Sequence, residues 1–184
     1  MNSLGLVRAW WRMRSRWQQI VICSVGIVFL LLGFAVWQYH QPRYISEQQV
    51  WRMVRKEATR ADLDPAFVYA IVHAESSRNA HARTHVARGI MQLTRPAWKT
   101  VSDLPYVWAW DWRHNITMGV QYLTWCRVQL EREGRFSYPL LAASYRYGFN
   151  HVREQGYDIG RVRAPDNPIY EALFAGERSP VPLP

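Results

Sequence analysis

The sequence predicts an all-α protein: a helical domain set behind a single N-terminal transmembrane helix. Three observations predict it. Residues Ile20 to Trp37 form an uncharged apolar run. From Ser46 onward, apolar residues recur at three- and four-residue steps. Helix-starting and helix-stopping residues then divide the rest of the chain into segments. Only Val107 to Trp112, with Trp108, Trp110 and Trp112, alternates with period two.

The apolar run comes first in the chain. It reads IVICSVGIVFLLLGFAVW and as a helix would be about 27 Å long at 1.5 Å per residue. A bilayer core of about 30 Å accepts such a segment. Trp17 and Trp37 flank it, where amphipathic rings favour the membrane interface. Arg8, Arg12, Arg14 and Arg16 precede it without an acidic residue, so residues 1–19 are expected in the cytoplasm and everything after Trp37 outside. The alternative is a cleaved secretory signal with Gly33-Phe34-Ala35 as its small-residue site. A lipid anchor at Cys23 is disfavoured by the bulk of Ile22. Residues 20–37 thus mark the membrane helix, 38–44 a polar linker, 45–178 the helical domain and 179–184 a Pro-rich tail.

Within the domain each helix has its reason. Val50, Trp51, Val54 and Ala58 share a face after Ser46. Asp64-Pro65 is an N-cap followed by proline at the first helical position, opening a helix with Phe67, Ala70, Ile71 and Ala74 on one side. Ser76 to Asn79 stop it. Asp111 caps a long helix carrying Ile116, Gly119, Val120, Leu123 and Leu130, ended by Gly134. Ser137 precedes a segment from Leu140 to Tyr147 that Gly148 closes, and a short helix around His151 ends at Gly156. The tail SPVPLP cannot continue a helix.

Composition narrows the function classes. The chain has 184 residues, 49% of them hydrophobic and 20% charged, which excludes a disordered protein. Two cysteines, Cys23 and Cys126, exclude a disulfide scaffold and a four-cysteine zinc site. They would sit in different compartments and so should not pair. Lys occurs only at Lys56 and Lys99, so 21 of 23 basic residues are Arg. Without the four Arg before the apolar run, the exported part has a net charge of +5, which favours an anionic partner such as the cell wall. A nucleic-acid partner would also suit the Arg content, but an exported chain would rarely meet one. His81 and His85 stand four apart without a third ligand nearby, so no metal site is expected, and no cofactor.

Glu75 is the residue best placed for chemistry. It follows Ile71 by four residues and Val68 by seven, so it borders the apolar face near the C-terminal end of its helix. Both the helix dipole and burial disfavour a negative charge there. A carboxyl kept protonated near neutral pH is what a general acid requires. An exposed, solvated helix-end glutamate is the alternative that the carboxyl alone leaves open.

The surrounding motifs add to this. The run YAIVHAESSRNAHARTHVARGIMQL, from Tyr69 to Leu93, contains Glu75-Ser76 and Gly89-Ile90-Met91-Gln92-Leu93. Downstream lie Asn115-Ile116, Gly119 and Tyr122-Leu123, then Ala143-Ser144-Tyr145-Arg146-Tyr147-Gly148 with Val152. In this order, over Asp62 to Val152, they resemble the lytic transglycosylases with a soluble-transglycosylase catalytic domain.

The resemblance implies a lysozyme-like fold and cleavage of peptidoglycan between N-acetylmuramic acid and N-acetylglucosamine. It implies that Glu75 serves as acid and then as base, that the muramic C6 hydroxyl attacks C1, and that a 1,6-anhydro end forms without water. Substrate-assisted cleavage of this kind departs from the two-carboxylate scheme. It also implies that Gln92, Tyr122 and Tyr145 line the sugar cleft, with Thr84 at the place of a cleft serine. Ser76 is expected to support the loop. Tyr122 also suits a core position, Met91 suits core better than cleft, and the three tryptophans suit sugar stacking or packing.

Two departures stand out. The loop from Glu75 to Gly89 is one residue short of the family pattern, and Arg146 replaces an Asn. Arg146 would either meet substrate carboxylates, lower the pKa of Glu75, or face solvent. The expected protein is anchored in the inner membrane with its catalytic domain in the periplasm, acting on peptidoglycan glycan strands. Its small size suggests a local gap-maker beside an envelope-spanning secretion or conjugation apparatus. A lysozyme-type muramidase and an inactive murein-binding scaffold are the rival readings.

Overall fold

The computed structural model describes residues 15–40 and 43–184, which fall into two units divided between Gln41 and Pro42. The first holds helix α1, Arg16–His40. Ser15 and Gln18 cap its start reciprocally, the Gln18 N–H donating to Ser15 Oγ and the Ser15 N–H to Gln18 Oε1. Its apolar side chains, among them Val25, Phe29, Leu30 and Leu32, are exposed within the unit, and the stretch Arg16–Val36 is long and apolar enough to cross a membrane. The helix runs beyond the 20–37 read from the sequence, taking in Arg16 and continuing to His40. Arg8, Arg12 and Arg14 of the basic segment, the side chain of Trp37, and Gln41 and Pro42 of the linker lie outside the described residues.

The second unit is built around helix α3, Pro65–Ser76. Asp64 caps it by accepting from the Ala66 N–H at 2.9 Å, with Pro65 at the first helical position. Six consecutive residues, Phe67 to Val72, are buried, so the helix is covered on all sides. Helix α2, Glu47–Arg60, lays Val50, Val54 and Ala58 against it. Helix α5, Trp112–Arg132, starts at Asp111, which accepts from the His114 N–H at 2.9 Å. Its inner face carries Ile116, Val120, Leu123, Cys126 and Leu130. Burial pushes the Cys126 thiol up to about 12. Helix α6, Tyr138–Tyr147, is capped by Ser137 and buries Leu140 to Tyr145 between α5 and the elements that follow.

Shorter elements complete the unit. A two-residue antiparallel hairpin, β1 Ala87–Arg88 and β2 Leu93–Thr94, pairs Ala87 with Thr94 and Arg88 with Leu93. It leads into α4, Arg95–Val101. Of the alternating tryptophans, Trp108 and Trp110 lie in a 3-10 turn, Tyr106–Trp110, and Trp112 opens α5; no strand forms, because the Trp108 and Asp111 N–H groups close back onto Pro105 and Trp108 carbonyls. Helix α7, Phe149–Glu154, follows Gly148, and α8, Pro168–Phe174, lies against both α3 and α6.

Candidate active site

Helix α3 delivers Glu75. Its phase with Val68 and Ile71, both fully buried, turns the carboxylate inward, and the side chain is 5% exposed. The helix stops one residue later because Ser77 takes a left-handed conformation and its N–H returns to the His73 carbonyl. The carboxylate is held from two sides. Tyr170 donates its hydroxyl to Glu75 Oε1, and Arg146 Nη1 lies 3.4 Å from Oε2. The Arg146 guanidinium also sits 5.6 Å over the Tyr170 ring. Burial raises the Glu75 pKa, and this outweighs Tyr170 and Arg146, which both lower it. Burial, reinforced by the charge of Glu75, keeps Tyr145 and Tyr170 protonated far above neutral pH, so both remain hydroxyl donors.

The turn Gly89 to Gln92 faces Glu75 and is fixed by residues from four directions. Ser76 Oγ donates to the Ile90 carbonyl at 2.6 Å. Tyr145 donates its hydroxyl to the Met91 carbonyl at 2.7 Å. Asn115, fully buried, accepts from the Met91 N–H at 2.8 Å and donates to the Arg88 and Ala109 carbonyls at 3.0 and 2.9 Å. Gly119 lies directly beneath Met91, where a Cβ would collide with the thioether. Gly89 itself has φ +83° and packs so close to Asn115 and the Ala109 carbonyl that no side chain fits. The separate motif pieces Glu75-Ser76, Gly89 to Leu93, Asn115 to Gly119 and Tyr145 thus meet around one turn.

A groove of about 770 Å³ runs past this turn, lined by Glu75, Thr84, Gln92, Tyr122, Tyr145 and Arg146 among others. Among the described residues no other carboxylate lines it. Tyr122 stacks parallel on Trp125, 5.7 Å between ring centroids, and meets Tyr145 edge-on, so it belongs to core and groove alike. Burial also raises its phenol pKa. Gln92, at φ 48°, donates its side-chain N–H to the Gly89 carbonyl and braces its own turn. Thr84 shapes the rim, its hydroxyl accepting from the Val86 and Ala87 N–H groups. Ser76 does not line the groove, because its hydroxyl is turned into the loop toward Ile90 and Val72. Arg146 points at Glu75 rather than into solvent alone, since its side chain is 42% exposed and still reaches the carboxylate.

Tyr170 is the functional residue that sequence reading missed. It lies on α8, outside the span of the family resemblance. Asn167 caps that helix, accepting from the Ile169 and Tyr170 N–H groups, and its side-chain amide donates to the Ala74 carbonyl at 3.2 Å. One residue therefore starts the helix and ties it to the end of α3 beside Glu75. Asn167-Pro168 repeats the cap-then-proline signature of Asp64-Pro65 and could have revealed the helix.

Comparison with known proteins bears on the family and the fold. The Transglycosylase SLT domain family model matches residues 52–162. A protein of Desulfosudis oleivorans named membrane-bound lytic murein transglycosylase F is 30% identical over 120 residues, covering 64% of this chain and 26% of that protein. Among solved structures, an inactive variant of the lytic transglycosylase Slt from Pseudomonas aeruginosa superposes with a TM-score of 0.53 at 22% identity. That match covers 70% of this chain and 22% of the other, and shows a shared fold. The chain thus spans about a quarter of the length of these relatives. With more than half its length matched by the family model, the chain belongs to the transglycosylase SLT domain family.

Proposed function

We propose that the protein is a membrane-anchored lytic transglycosylase that cleaves the β-1,4 bond between N-acetylmuramic acid and N-acetylglucosamine in peptidoglycan. The observation that carries this reading is Glu75: a buried carboxyl of raised pKa, held by Tyr170 and Arg146, in a groove lined by no second carboxylate among the described residues. A two-carboxylate hydrolytic scheme lacks its partner there. One group must serve twice. As acid, Glu75 gives its proton to the glycosidic oxygen while the bond from C1 to that oxygen breaks. As base, it then takes the proton of the muramic C6 hydroxyl, whose oxygen bonds to C1. Proton count is restored and no water enters. Tyr170 occupies Oε1 and the Arg146 guanidinium stands at Oε2, so both oxygens of the acid are oriented by the protein.

Helix α1 is long and apolar enough for a membrane anchor, and Arg8, Arg12, Arg14 and Arg16 before the apolar run favour an N-terminus in the cytoplasm, with residues after Trp37 in the periplasm. A tethered wall-cleaving domain acts locally, which suits an envelope-spanning secretion or conjugation apparatus. Digestion of purified murein by the full chain in detergent tests the reading. Mass spectra should show muropeptides ending in 1,6-anhydro-muramic acid, one water lighter than hydrolysed ones. Reducing ends would instead assign a muramidase, and binding without release a scaffold. A reporter that works only in the cytoplasm, fused at the C-terminus, should stay silent; a bright one refutes the topology.

A further inference from the structure

Across the Thr84 to Val86 rim from the Glu75 groove lies a second hollow of about 980 Å³. The two share Thr84, His85, Val86, Thr94 and Pro96 as a common wall. The second is unlike the first in charge: Arg83, Arg88 and Arg95 line it together with Tyr106 and Trp110. Its arginines are held by the hairpin. Arg83 pairs with Arg88 in an antiparallel bridge, and Arg95 opens α4 directly after β2. Tyr106 is fixed by donating its hydroxyl to the Leu93 carbonyl at 2.7 Å. Over that one ring stand two guanidinium groups, Arg88 at 4.8 Å and Arg95 at 5.1 Å from the centroid, and Arg88 also lies 5.4 Å from the Trp110 ring.

Like charges gathered on one ring repel each other, and a fold usually relieves this with carboxylates. Here it does not. Among the described residues no ion pair joins Arg83, Arg88 or Arg95 to an acid. Asp103 lines a neighbouring hollow with Arg95 yet pairs with none of them, and Asp111 is engaged by His114. Stacked guanidiniums are preorganised and present a fork that matches a carboxylate. A neutral sugar has no use for three of them.

Resting on the glycan-cleaving reading above, we propose that this hollow binds carboxylates of the peptides that murein strands carry, while the sugars lie in the Glu75 groove. Strands keeping their peptides would then be preferred over bare glycan, with Arg83, Arg88 and Arg95 setting that preference.

The test compares the full chain with Arg83→Gln/Arg95→Gln on two substrates: glycan strands with intact peptides, and the same strands stripped of peptide by an amidase, with the lactyl carboxylate this frees on each muramic acid then converted to its amide. The wild-type protein should favour peptide-bearing strands in kcat/KM. In the double variant that preference should fall about tenfold, equivalent to 1.4 kcal/mol, through KM rather than kcat. Arg83→Lys/Arg95→Lys should retain part of it, and added salt should erode it in the wild type. An unchanged preference, or an equal loss on both substrates, overturns the proposal and leaves the glycan-cleaving reading intact. If the wild-type protein cleaves neither strand, that reading fails instead. Co-sedimentation then decides the hollow: tighter retention of peptide-bearing strands that the Gln pair abolishes supports it, and equal retention refutes it. Should the Gln pair unfold, the salt dependence of the wild-type preference gives the same decision.

Discussion

Replacing Asn115 with alanine isolates what the turn beside Glu75 owes to one buried side chain. Asn115 is fully buried and makes three hydrogen bonds, all to main-chain groups: the Met91 N–H and the Arg88 and Ala109 carbonyls. Asn115→Ala leaves all three without that partner. A buried polar group deprived of its partner costs about 1–3 kcal/mol. Even at the low end the three together cost about 3 kcal/mol, a large share of a domain's usual margin of about 5–15 kcal/mol. For a domain of this size that corresponds to a fall in Tm of roughly 10 °C. Activity should drop as well, because Gln92 and the Met91 carbonyl that receives Tyr145 belong to the loosened turn. The test is a pair of thermal melts, with Asn115→Asp as comparison. Aspartate keeps the acceptor for Met91 but loses the amide that serves Arg88 and Ala109. It should therefore destabilise too, and more as it ionises. A loss below about 1 kcal/mol for Asn115→Ala, with activity unchanged, would refute the idea that this residue fixes the turn.

Further predictions concern the carboxylate and its holders. Glu75→Gln should lower turnover by about 10²- to 10⁴-fold, the usual contribution of general acid catalysis, while the fold persists. Because the folded state raises this acid's pKa, its contribution to stability is present below the unfolded value and is lost as pH rises through the folded one. Glu75→Gln should thus be at least as stable as wild type at alkaline pH; a clear loss in alkaline melts would contradict the burial argument. Tyr170→Phe removes a donor that lowers the Glu75 pKa, so the alkaline limb of the pH–rate profile should move to higher pH, with activity down about tenfold from the loss of a hydrogen bond to a charged group. An unmoved limb would show that the hydroxyl is not on the carboxylate in solution. Arg146→Asn should shift the same limb in the same direction, since the guanidinium also lowers that pKa; a limb moving to lower pH would contradict the ion pair.

Much of this architecture could be read from the chain where local chemistry and long-range packing ask for the same residues. Asp64-Pro65, Asp111 and Ser137 start helices because each supplies an acceptor for the first free N–H groups, and each does so in the structure. The burial of Glu75 followed from its spacing to Val68 and Ile71, which a helix converts into a common face. The hairpin escaped detection because two residues per strand are too few to alternate. Tyr170 escaped because α8 has seven residues, and nothing local connects a tyrosine to a glutamate 95 positions earlier. The direction of Arg146 was left open for the same reason. Only the packing of α6 against α8, which brings Arg146 to the end of α3, decides which way that side chain turns. Ser76 shows the converse, where a polar neighbour of the acid serves the loop and not the groove.

Cys126 gives the folded domain a silent chemical clock. Its sulfur is buried in the face of α5, and a thiol whose pKa lies at about 12 offers almost no thiolate to an alkylating reagent near neutral pH. Once α5 parts from its neighbours, the same sulfur meets water and regains ordinary reactivity. The rate at which a thiol reagent consumes Cys126 therefore counts how often the core beside Tyr122 opens. Followed on the peptide that carries it, apart from the exposed Cys23, this thiol can report whether a substitution such as Asn115→Ala loosens only the turn or the whole packing behind it.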